Sequence, residues 1–133
     1  MTAAELFALP ARDLDTMVAE KVRGWHRDLR LDWRWEDGTL AAGADWSCLS
    51  ADATLAVLAR LHDLHPSWRV VTETPYEDAG IIAVHLKCRP GEVNIWAGPH
   101  GCIARVPFAT VAELPQAVAV AAVMAMEGCR EST

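Results

Sequence analysis

The segment from Leu114 to Met126, LPQAVAVAAVMAM, contains no charged residue. Val118, Val120, Val123, Met124 and Met126 fall on several sides of the helix it predicts. Ala117, Ala119, Ala121, Ala122 and Ala125 allow close backbone approach. A helix that is apolar all round has to be covered on more than one side. One sheet covers one side, so the remaining faces need other helices or a second copy of the chain. The run is shorter than the roughly 20 residues that span a bilayer, which makes it a core element. We expect a helix over 113–127, opened by Thr110 to Glu113 and closed by Gly128. Either complete burial or a two-fold dimer satisfies it. We favour the dimer, in which Val123→Glu would yield a folded monomer.

The chain before this helix reads as two further helices and a strand-rich stretch. Residues 1–11 form a short leader in which Leu6, Phe7 and Leu9 can dock, and Pro10 separates it from a single domain over 12–133. Asp13 can cap the first helix, Asp15 favours its first turn through the helix dipole, and Gly24-Trp25 closes it. Leu14, Met17, Val18, Val22 and Trp25 share one face, with Lys21 snorkelling past the core edge. Leu29, Leu31, Trp33 and Trp35 alternate with Arg30, Asp32, Arg34 and Glu36, the pattern of a strand with one apolar face. Asp37-Gly38 is a tight-turn signal, Gly43 lies in the return segment, and over 26–49 a short hairpin or an ordered loop fits equally well. Ser50 caps a second helix that His65-Pro66 ends. Strands are expected over 68–74, 81–88, 93–97 and 102–106. Residues 75–80 form a loop, and turns fall at Arg89-Pro90-Gly91-Glu92 and Gly98-Pro99-His100-Gly101. Short connections make neighbouring strands antiparallel.

A length of 133 residues suits one domain. With 52% hydrophobic residues the chain can fill a core. The net charge of −6 is spread along the sequence, which argues against direct nucleic-acid binding and is compatible with protein partners. The N-terminus has no basic stretch before an apolar core, so it does not read as a signal peptide, and a cytoplasmic location is expected. Cys48, Cys88, Cys102 and Cys129 show no CxxC spacing and read as reduced, mostly buried residues.

Chemistry-bearing patterns are few. His62-x-x-His65 with His85-x-x-Cys88 offers imidazole and thiolate ligands of the kind zinc takes. His85 and Cys88, however, point to opposite faces of a regular strand. His100 and Cys102 flank a turn glycine and suggest a thiol nucleophile, without a third group to orient them. Glu73, Glu77 and Asp78 are carboxylates around a loop and read as solvated. No phosphate-binding glycine motif follows a strand, and no cofactor is expected. Six tryptophans are many for so short a chain. Trp25 and Trp68 fit the core. Trp33, Trp35, Trp46 and Trp96 are too many large rings for a small domain to bury easily. Trp33, Trp35 and Trp46, with Arg30 and Arg34, form either a partly exposed partner-binding patch or a loop that folds back to finish the core.

LDTMVAEKVRGW, whose core is Ala19, Glu20, Lys21, Val22, Gly24 and Trp25, resembles the opening helix of the phage ABA sandwich domain family of small bacteriophage and prophage proteins. WSCLSADATLAVLARL is similar to the start of that family's second helix, with Trp46 where a tyrosine is expected. The Ala-rich helix after AELPQA matches its closing helix. The resemblance covers the chain beyond residue 11. It implies an α/β/α sandwich with an antiparallel sheet of about four strands, located in the cytoplasm of a bacterial host. It carries no catalytic residues over. The leading expectation is a non-enzymatic accessory protein that binds a host or phage protein. Inhibition of a host enzyme or immune complex, as anti-CRISPR proteins achieve, is one form of this. The alternative is a zinc or thiol enzyme built on the His62, His65, His85, Cys88 or His100, Cys102 sets.

Overall fold

The computed structural model describes residues 1–74, 76–77, 88–89 and 91–131, with side chains described over 1–74 and 91–128. The elements run α1 (Ala3–Phe7), α2 (Ala11–Met17) continued by a π-helical turn (Val18–Arg23), β1 (His26–Arg27), β2 (Trp33–Arg34) and β3 (Leu40–Ala42). They continue as α3 (Ala51–Leu64), β4 (Arg69–Glu73), β5 (Tyr76–Glu77), β6 (Cys88–Arg89), β7 (Gly91–Trp96), β8 (Cys102–Phe108) and α4 (Leu114–Glu131). The class is mixed α+β with antiparallel pairing throughout, as the sequence predicts. The main sheet has the order β4-β7-β8. The tryptophan-rich segment makes a separate small sheet, β1-β2-β3.

The uncharged helix, α4, is the middle layer. Val93, Ile95, Ala104, Val106 and Phe108 of the main sheet share a buried cluster with it, and α1, α2, the π-helical turn and α3 pack on its other sides. Residues 117 to 123 are all buried within one chain. This corrects the expectation of a dimer through α4, because neighbouring helices already cover the faces that the sheet leaves. Gly128 does not end the helix, which continues to Glu131. The 18-residue window Val111–Gly128 is long and apolar enough by composition to cross a membrane. In this fold it supplies the centre of the core. Lys21 pairs with Glu127, which ties the π-helical turn to the end of α4.

Local chemistry explains most boundaries. Thr2 and Glu5 form a reciprocal capping box at α1, which seats Leu6 fully inside the core. The helix after Pro10 begins at Ala11, so Asp13 lies in its first turn and does not cap it. Gly24 ends the π-helical turn at φ +74°, and the Ala19 carbonyl accepts both Gly24 N–H and Trp25 N–H. The wider turn lets Val18 and Val22 join the main core while Ala19 joins the tryptophans. Asp15 has a different task from the one expected. It is buried, and accepts Cys48 N–H at 2.8 Å and Ser47 Oγ at 3.4 Å, fixing the approach to α3. Ser50 then caps α3 by accepting Ala53 N–H at 3.1 Å.

The expected turn at Arg89-Pro90-Gly91-Glu92 is corrected. Gly91 and Glu92 belong to β7, and one antiparallel register runs from Arg69↔Trp96 through Glu73↔Glu92 to Tyr76↔Arg89 and Glu77↔Cys88. Tyr76 and Glu77 therefore extend the ladder, where the sequence suggested loop. Most of the strand expected over 81–88 lies outside the described residues. Gly91 is required by packing: a Cβ there would sit 2.4 Å from the Glu73 carbonyl oxygen and 2.6 Å from Phe108 Cζ.

Gly91→Ala is expected to lower stability by about 1–3 kcal/mol, read as a lower urea midpoint. An unchanged midpoint would show that the strands part at no cost. Val123→Glu is expected to prevent folding, because it buries a carboxylate with no partner. A folded, soluble Val123→Glu chain by circular dichroism would refute the covered position of α4.

Candidate interaction surface

The segment 26–46 that the sequence leaves open is a second, smaller core. Trp33 on β2 is fully buried and forms a cluster with Ala19 and Trp25, and Trp35, Ala41, Ala42 and Trp46 close around them. Trp25 meets Trp35 edge-on at 5.7 Å and Trp46 at 5.0 Å between ring centroids. Arginines cover the rings. Arg27 lies 4.5 Å over Trp33, Arg23 lies 4.7 Å from the Trp25 ring and 5.5 Å from Trp35, and Arg60 of α3 lies 5.9 Å from Trp35. Of the two readings of these tryptophans, the folded-back loop is the observed one. Trp33 is therefore corrected from an exposed contact to a core residue. Trp35 and Trp46 are half-buried supports.

The expected regular strand over Leu29 to Glu36 is also corrected. Residues 28–32 form a tight turn organised by one carboxylate. Asp28 accepts Arg30 N–H at 2.8 Å, Asp32 N–H at 3.0 Å and Arg34 Nε at 2.7 Å. Arg34 also donates to the Gly38 carbonyl at 3.0 Å, joining the 28–32 turn to the Asp37-Gly38 turn. Alternation fails because the turn throws Leu29 and Leu31 outward. Leu29 is fully exposed, and Leu31 is exposed at φ +67°, a left-handed conformation that is costly for a branched side chain. Leu40, paired with Arg34 across β2-β3, is exposed as well. Arg30 is exposed and Arg34 is half-buried. The turn thus presents Leu29, Arg30 and Leu31 to solvent, held by the hydrogen bonds to Asp28.

Arg34's hydrogen bond to the side chain, followed by the Asp32 and Arg30 N–H groups, holds the Asp28 carboxyl below its ordinary 3.8. A lowered folded value means the stabilisation is complete above the unfolded pKa and is lost as pH falls through the folded one.

Among the described residues the remaining candidates do not assemble into chemistry. His62 is exposed on α3, whereas His65 stacks on Trp68 at 3.8 Å with rings 8° from parallel. His85 and the Cys88 side chain lie outside the described residues, as does Asp78. Glu73 is exposed on β4. His100 is exposed in a short 3-10 turn, and Cys102 Sγ donates to the Ala104 carbonyl at 3.2 Å, so neither is placed to activate the other. Burial pushes the Cys48 thiol well above its ordinary value, with the Asp15 carboxylate adding to the shift. That thiol is inert. Among the described residues no three His, Cys, Asp or Glu side chains converge as metal ligands. One concavity among the described residues, about 720 Å³, is an apolar groove between α1 and β8. Ala3, Ala4 and Phe7 form one wall, Val106, Pro107 and Phe108 the other, and Glu113 lies at its margin.

Trp33→Ala is expected to cost about 3–5 kcal/mol, the loss of a large buried aromatic, seen in denaturant unfolding. A cost below 1 kcal/mol would return Trp33 to the surface. Amide protection at Arg30 and Asp32 is expected to hold down to about the ordinary aspartate value and collapse below it. Asp28→Asn should abolish that pH dependence. Persistence of the dependence in the variant would assign it to another group.

No family model matches the chain, no curated protein matches it, and no solved structure matches it.

Proposed function

We propose that this chain acts by binding another protein and carries out no reaction of its own. The observation that supports this best is the turn over 28–32. It spends three hydrogen bonds from one carboxylate, and a strained Leu31, on presenting two leucines to solvent. Strain of this kind persists where the surrounding structure imposes it, and it collects at ligand clamps and switch segments. Exposed apolar side chains rimmed by arginine have the composition of a protein contact. Leu29, Leu31 and Leu40, with Arg30 and Arg34, form the proposed contact surface, and Trp35 and Trp46 support it from beneath.

The resemblance to the phage ABA sandwich family gives the proposal its setting. In that setting the chain is a phage or prophage accessory protein in the bacterial cytoplasm, and its partner is a host or phage protein. A host enzyme or an immune complex, the targets of anti-CRISPR proteins, is the partner class this reading names, by analogy of size and origin.

The Leu29→Asp, Leu31→Asp double variant is expected to lose partner capture from a host lysate. Its melting temperature should stay within a few degrees of the parent, since exposed substitutions of this kind change stability by about 0.5 kcal/mol or less. Undiminished capture of the same protein by the double variant would overturn this surface as the contact.

A further inference from the structure

Arg23 and Arg60 stand where an acidic protein has least reason to leave cations unmatched. They come from different elements, the π-helical turn and α3, and hold each other's elements through backbone carbonyls. Arg23 Nη1 donates to the Ala56 carbonyl at 2.9 Å, and Arg60 Nε donates to the Val22 carbonyl at 3.3 Å. Both guanidinium groups lie within 6 Å of the Trp35 ring centre. Each is thereby pinned, and its remaining N–H groups keep a fixed direction. Among the described residues neither arginine has a carboxylate within ion-pair distance. Of the acids that follow Trp35, Asp37 is committed to Thr39 N–H at 2.9 Å and Thr39 Oγ1 at 2.7 Å, and Glu36 is exposed without pairing to either arginine.

Two buried donors beside them are also unmet. Arg23 Nε is buried and has no hydrogen-bond partner, and neither does the indole Nε1 of Trp25, a residue only 6% exposed. Burial, with the nearby charge of Arg60 adding to it, pulls the Arg23 pKa below its ordinary value. Cation–π contact with the tryptophans explains why one guanidinium would lie there. It does not explain why two cations share one ring in a chain of net charge −6.

We propose that Arg23 and Arg60, over Trp35, form an oxyanion-binding site for a phosphate or carboxylate group. A planar fork of N–H donors matches the oxygens of either group. The anion relieves the repulsion between the two cations and accepts from the guanidinium N–H groups that the Ala56 and Val22 carbonyls leave free. Arg60 is the residue whose removal breaks the site with least effect on the fold, because it is half-buried on the surface of α3.

The test is a titration of the full chain with inorganic phosphate, and separately with acetate, at constant ionic strength. The arginine Nε–H signals are followed by NMR. A saturable shift of the Arg23 Nε–H signal is expected with at least one ion. A response to phosphate alone assigns phosphate, and a response to acetate assigns a carboxylate. Arg60→Gln should weaken the binding by about tenfold or more, while Arg60→Lys, which keeps the charge but loses the fork, should fall between. No saturable shift with either ion in the parent chain overturns the proposal. So does equal affinity in a folded Arg60→Gln chain.

Discussion

A helix with valine, alanine and methionine on every side has no face to offer water, and the rest of the fold is arranged to meet that condition. The main sheet lays Val93, Ile95, Val106 and Phe108 against one side of α4, and α1, α2 with its π-helical turn, and α3 close the others. A fully buried valine contributes about 1.5–3 kcal/mol, and Val120 and Val123 are both completely enclosed. Because α4 takes the middle layer, the opposite face of the sheet, with Val71, Asn94, Trp96 and Arg105, is left largely to solvent. Polar ties then fix the orientation of the outer helices. Gln116 donates to the Phe7 carbonyl at 2.7 Å, and Lys21 reaches Glu127.

Two carboxylates do comparable work at different depths. Asp15 is buried and holds the backbone entering α3, so its loss would leave the Cys48 N–H without a partner. Asp28 is near the surface and shapes a turn that the leucines alone would not adopt. Each substitutes for backbone pairing where the chain leaves regular structure. The tryptophan cluster lies between the two. It is linked to the main core through the helix that carries Val18 and Val22 on one side and Ala19 on the other.

The long elements were legible from sequence because their signals are local. The apolar run of α4, the cap at Ser50, the stop at His65-Pro66 and the close at Gly24 each depend on residues a few positions apart. The turn over 28–32 was not legible. Leu29, Leu31, Trp33 and Trp35 have the spacing of a strand, and nothing in that spacing distinguishes a side chain that is buried from one that a turn has turned outward. The ladder through Gly91 was misread for a related reason. Pro-Gly is a turn signal by composition, but the close approach of Glu73 and Phe108, distant in sequence, is what requires that glycine. Arg23 and Arg60 gave no signal at all. Each reads as an ordinary solvated arginine until the π-helical turn and α3 bring them to the same ring.

The single register shared by Arg69 to Glu77 and Cys88 to Trp96 limits how this protein can change in length. Faces of a strand alternate residue by residue, so one residue added to either arm would turn every later side chain over. It would also move Val93 and Ile95 away from α4. Single-residue changes are therefore excluded between Arg69 and Glu73 and between Glu92 and Trp96. Natural variation in such a chain should leave the length of the strand segments beside α4 unchanged.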